Sequence, residues 1–176
     1  MRYVVRANAL YAVHTEQLLA KARRAFLGSE NVITLPDDTP ALTTSILSAD
    51  MPGVQRGDVR FHRYVMLDGQ QAAVAEGFPN YAQEDDPDVN GWPLCRLPRA
   101  NHVRIRMEGT EYRLIMHDGR HYTLKNLEGD TVMDITHRGL CGGWNLETKK
   151  AFAHPVVCGL YLFCRYLEKE NEWMIV

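Results

Sequence analysis

The sequence predicts a mainly β domain (α+β) folded around one apolar helix close to its C-terminus. Two stretches predict it. The first is His154 to Glu170, HPVVCGLYLFCRYLEKE, in which Val156 through Cys164 pass without a charged or amide side chain until Arg165 ends the run. Pro155 suits a first helical turn because it has no N–H to leave unpaired, and Leu167, Glu168, Lys169 and Glu170 are good helix formers. Apolar residues fall on every side of this helix, 155–170, so it has to be enclosed. A bilayer span takes about twenty apolar residues, so the stretch reads as a core helix and not as a transmembrane segment.

The second stretch is the recurrence of Glu108-Gly109, Asp118-Gly119 and Glu128-Gly129 between short apolar runs. Acidic-glycine pairs favour the positive φ values of hairpin turns, so 102–150 is expected to hold a β-meander of four strands and one more short strand after the Gly142-Gly143 bend. Within it, Val103, Ile105 and Met107 alternate with Arg104, Arg106 and Glu108, the signature of a half-buried strand.

Earlier elements are predicted in turn. Residues 3–13 begin as a strand. Leu18, Leu19, Ala22, Ala25 and Phe26 recur at helical spacing, with Lys21, Arg23 and Arg24 on other faces and Gly28 as a stop, so an amphipathic helix is expected over 15–27. Val32 to Leu35 and Ser45 to Leu47 read as short strands in a Pro-rich stretch. Residues 59–67 form a clearer strand, Asp68-Gly69 a two-residue turn, and Gln71 to Phe78 its partner. A loop rich in Asp, Pro and Gly covers 80–98, and the final EWMIV reads as a last strand or a strap.

A chain of 176 residues is most simply one domain, 1–176. Twenty basic against 22 acidic residues give a net charge of -2, which provides no global field toward nucleic acid or an anionic membrane. Any such contact has to come from a local patch. The first ten residues lack a secretory h-region, and the expectation is a cytoplasmic protein, peripheral to a membrane if it meets one. Cys95, Cys141, Cys158 and Cys164 form no C-x-x-C pair. Cys158 and Cys164 fall on different helix faces, as small buried residues.

Tyr112-Arg113-Leu114, Asp118-Gly119, Val132 to Thr136, Gly142-Gly143-Trp144-Asn145-Leu146 and the helix Val156 to Leu167 together resemble the tubby-like C-terminal fold. That superfamily includes the LURP-one-related proteins and the phospholipid scramblases. The resemblance implies a closed antiparallel β-barrel threaded by the C-terminal helix, and a lipid-binding, non-enzymatic role. Closure would remove exposed strand edges.

Several chemistries compete for the functional residues. Arg104 and Arg106 share an outer face, and Arg113 and Lys125 can join them from adjacent strands, which would make a grip for a phospholipid headgroup or another small anion. A solvated face balanced by Glu108 and Glu111 is the plainer alternative. The acidic residues of 83–90 and the basic helix 15–27 offer a protein-interaction surface instead. An enzyme at Cys141, His137 and His154 is a third reading, although Cys141 sits in a β-bend and not at a helix start. No spacing matches a zinc or calcium site, and no glycine-rich nucleotide loop is present, so no metal or cofactor is expected.

Overall fold

The computed structural model describes residues 1–25, 30–48, 62–81 and 100–172. Twelve strands make up a closed antiparallel barrel: β1 (Arg2–Arg6), β2 (Ala9–Ala12), β3 (Leu18–Arg24), β4 (Asn31–Thr34), β5 (Pro40–Ser48), β6 (His62–Leu67), β7 (Ala73–Tyr81), β8 (Ala100–Met107), β9 (Thr110–Asp118), β10 (His121–Lys125), β11 (Thr131–His137) and β12 (Trp144–Thr148). Each strand pairs with its neighbours in sequence. Closure comes from β1 pairing with β12, from Arg2 opposite Glu147 to Val5 opposite Trp144. The N-terminal ammonium adds a bond to the Thr148 carbonyl at 2.6 Å, so the first and last strands are joined along their length. A barrel of this kind leaves no edge to recruit another chain.

One helix, α1 (His154–Glu172), follows β12. It carries the stretch expected to be helical and extends it by a residue or two at each end. Val157, Cys158, Leu160, Phe163, Cys164 and Leu167 are all at most 1% exposed. The helix begins with His154 edge-on against Tyr3, near the start of β1. Midway, Tyr161 meets Trp144 and Phe163 meets Tyr64. Near its end, Tyr166 bonds Asn31 and Thr44, Glu170 lies 2.6 Å from His62 Nδ1, and Asn171 pairs with the backbone of Ala100. Tyr166, Glu170 and Asn171 thus each have a polar partner on a strand, which buried polar groups require. Burial also raises the helix thiols, Cys158 to about 12, so neither is a reactive thiolate.

The helix expected over 15–27 is corrected by the structure: Leu18–Arg24 is strand β3, and residues 26–29 lie outside the described residues. Leu, Ala, Lys and Arg are good helix formers, but the same stretch also alternates. Ala20 and Ala22 point inward and are 0% and 8% exposed, while Lys21 and Arg23 point outward and share the Asp38 carboxylate at 3.1 Å each. The small inward residues lie where α1 contacts β3. Pairing with β2 and β4 outweighs a propensity difference of a few tenths of a kcal/mol per residue.

The Asp68-Gly69 turn is also longer than expected. β6 and β7 are joined through Asp68–Ala72, with the Asp68 carboxylate accepting the N–H groups of Gln70 and Ala72, and with Gln71, not Gly69, at positive φ. The strand expected from 59 is described from His62, and β7 runs on to Tyr81. The rest of the 80–98 loop, the 83–90 acidic residues and the terminal 173–176 lie outside the described residues. The meander of β8 to β11 and the short strand after Gly142-Gly143 are present as expected.

Gly143 is required where it stands. Its φ is +81°, and a Cβ there would run into the carbonyl oxygen of Val5. Gly109 also has positive φ, +70°, but open space around it. Gly143→Ala is therefore expected to cost about 2 kcal/mol or more and Gly109→Ala about 1 kcal/mol, read as a clearly larger fall in melting temperature for the first.

A candidate anion-binding face

The hairpin of β8 and β9 turns on Glu108 and Gly109, both at positive φ, so its register is fixed. Met107 faces Thr110, Ile105 faces Tyr112, and Arg104 faces Arg113. On the far side of β9 the turn at Gly119-Arg120 would, without interruption, set Lys125 opposite Leu114. A bulge between His121 and Tyr122 shifts that register by one residue, and Lys125 pairs with Arg113 instead. Arg104, Arg113 and Lys125 thus form one cross-strand row over three adjacent strands. On the other side of Arg104, Phe78 of β7 continues the row.

Opposed residues on an antiparallel pair have Cβ atoms about 5 Å apart, and like charges at that spacing destabilise the sheet. This row opposes like charges twice. Arg106 adds a fourth cation next to Arg104 on the same strand face. Carboxylates stand beside these cations: Glu111 lies 3.9 Å from Arg104 and 3.7 Å from Arg106, and Glu76 of β7 is the cross-strand partner of Arg106. Both guanidinium groups sit over the Phe78 ring, at 5.6 and 5.3 Å from its centre. That ring holds the two arginines side by side through cation–π attraction without cancelling their charge. Arg113 extends the other way and brings Nη2 within 3.4 Å of His102 Nδ1. Exposed pairs such as these contribute roughly 1 kcal/mol or less, so the carboxylates do not lock the arginines away from a ligand.

Histidines border this face. The rings of His117 and His121 are 4.6 Å apart; His117 Nε2 lies 2.9 Å from the Thr123 hydroxyl, and His121 Nε2 lies 3.0 Å from Asp134. The His117 pKa is lowered below its ordinary value, first by burial and then by the charges of His121 and Lys125, against the opposing pull of Asp118 and Asp134. A His whose folded pKa lies below its unfolded one stabilises the fold above the unfolded value, about 6.5, and that contribution is lost as pH falls through the folded value. An anion bound beside Lys125 would remove part of the repulsion and raise the His117 pKa. An NMR titration of His117, with and without inorganic phosphate, reads that shift directly.

The four cations expected to cooperate are therefore brought onto one face. Phe78, which organises two of them, escaped sequence reasoning; its signal was an aromatic at an outward position of a predicted strand. His137 and His154 are not brought together. His137 packs edge-on against Trp144 at 5.0 Å, whereas His154 starts α1, two turns or about 10 Å along the helix before Tyr161, the residue that meets Trp144. The Cys141 side chain lies outside the described residues. Among the described residues, no group of three or more His, Cys, Asp or Glu side chains is placed to hold a metal ion, and no helix is long and apolar enough to cross a membrane.

Fold and face together define a closed twelve-stranded β-barrel with a C-terminal helix and a cationic row on its outer surface. No protein-family model matches the sequence, and no curated protein matches it. Among solved structures, the chain is similar to an Arabidopsis thaliana protein determined by X-ray crystallography, at 10% identity over 94% of this chain and 89% of that one, with a TM-score of 0.34. A likeness that slight carries no argument about function.

Proposed function

We propose that this protein is a non-enzymatic binding module that takes an anionic headgroup, a phosphoryl group above all, on the row Arg104, Arg113 and Lys125, with Arg106 beside it. The observation that carries this reading is the double opposition of like charges in one cross-strand row. A sheet with no ligand to bind gains nothing from that arrangement, whereas a phosphate accepts hydrogen bonds from several such donors at once. Two arginines are suited to the task because each presents a planar fork of donors that matches phosphate oxygens.

The tubby-like resemblance of the sequence points the same way, toward a lipid headgroup. In this reading α1 threads the barrel and fills it, so a ligand is taken on the outer wall and not inside. The burial of the helix and its partners on β1, β4, β5, β6, β8 and β12 support that arrangement.

Co-sedimentation with neutral and with anionic phospholipid vesicles, at low and moderate salt, tests the reading. Binding to anionic vesicles alone, weakening as salt shortens the screening length toward about 8 Å, is the expected result. Equal binding to both kinds of vesicle, or to neither, would refute it.

A further inference from the structure

A second site lies at the end of the barrel where β1 turns into β2, β9 into β10 and β11 into β12. A cleft of about 460 Å³ opens there, lined in part by Arg120, His137, Trp144, Tyr161, Arg165 and Glu168. Three connections and two turns of α1 converge on it. The Ala7-Asn8 turn, with φ of 47° and 61°, forms one wall, and Gly143 allows the β11–β12 connection to press against Val5 on another.

The polar groups in the cleft are matched in kind. His137 Nδ1 accepts the Gly139 N–H at 3.1 Å, so the neutral ring carries its proton on Nε2 and has that donor left to offer. Arg165 is stacked over Trp144, 5.9 Å from the ring centre, and paired with Glu168. One guanidinium nitrogen serves that pair, and the remaining donors of the fork stay available. Arg120, on the β9–β10 turn, is a second arginine lining the cleft. Two arginines and an imidazole thus stand against a single carboxylate. Behind the cleft, Tyr122 packs on Trp144 at 5.7 Å, and its buried hydroxyl has no hydrogen-bond partner among the described residues.

We infer that this cleft binds a small phosphorylated polyol, distinct from the headgroup taken on the outer wall. Arg120, Arg165 and His137 Nε2–H hold the phosphate, and Glu168 accepts a hydrogen bond from a neighbouring hydroxyl. The donors match the oxygens of a phosphate monoester, and Glu168 would repel a ligand that carried only anionic groups. The volume suits a sugar phosphate better than a bare ion.

Calorimetric titration of the full chain with glucose 6-phosphate, inorganic phosphate and glucose tests this. Glucose 6-phosphate is expected to bind, inorganic phosphate more weakly, and glucose not at all. Arg120→Ala, in a turn, is expected to keep the wild-type melting temperature and to weaken glucose 6-phosphate at least tenfold. Arg104→Glu/Arg113→Glu, on the outer wall, is expected to leave that affinity unchanged. Absence of binding by glucose 6-phosphate would overturn the inference, and so would wild-type affinity in Arg120→Ala or loss of affinity in the outer-wall variant. Should Arg120→Ala melt early, amide shifts of Gly119, Arg120 and Gly143 in the wild-type protein give the same decision: movement on adding glucose 6-phosphate supports the site, and its absence removes it.

Discussion

Leu160→Asp is expected to abolish folding. Leu160 is 1% exposed in the middle of α1, one residue beyond Gly159, where a Cβ would run into the Met66 side chain. Truncating such a leucine to alanine typically costs 2–5 kcal/mol, and a lone buried carboxylate adds the cost of leaving an ion without solvent or partner. Native domains hold only about 5–15 kcal/mol of stability, so the aspartate exceeds what the fold can absorb. Leu160→Ala, at about 3 kcal/mol, should remain folded with a melting temperature lower by roughly 6–12 °C. Circular dichroism melts of the two variants check both statements, and a soluble, cooperatively melting Leu160→Asp protein would show that this face of α1 is not core.

Reversing the outer row is expected to remove anionic-vesicle binding while leaving the fold intact. Each basic side chain near an anionic surface contributes about 1 kcal/mol, and a change from Arg to Glu counts twice. Arg113→Glu alone should weaken binding about 30-fold, and Arg104→Glu/Arg113→Glu more than a hundredfold. Both positions are exposed, and Arg113→Glu also breaks the like-charge opposition with Arg104 and Lys125, so its thermal stability should be unchanged or slightly raised. A loss of binding accompanied by a loss of stability would mean that the variant reports on folding and not on ligand contact.

The helix and the meander were legible because their signals are local: nine apolar residues without a charge in one case, acidic-glycine turns in the other. The strand at Leu18–Arg24 was not. Its residues satisfy both a helical and an alternating pattern, and only the presence of α1 against Ala20 and Ala22 and of β2 and β4 on either side decides between them. For the site, alternation alone placed Arg104 and Arg106 outward, and the two-residue turn at Glu108-Gly109 set Arg113 against Arg104. Lys125 depended on a bulge at His121, which no residue there announces. Barrel closure was likewise beyond local reading, since the pairing of β1 with β12 joins residues at the two ends of the described barrel, from Arg2 with Glu147 to Val5 with Trp144.

Chemical-shift mapping of the labelled protein on adding anionic phospholipid bicelles is the most direct test of the proposed headgroup site. Shifts concentrated at 102–106, 111–115 and 123–126, absent with neutral bicelles, are the predicted result. Shifts elsewhere on the barrel, or none with either bicelle, would contradict a headgroup site on the row of Arg104, Arg113 and Lys125.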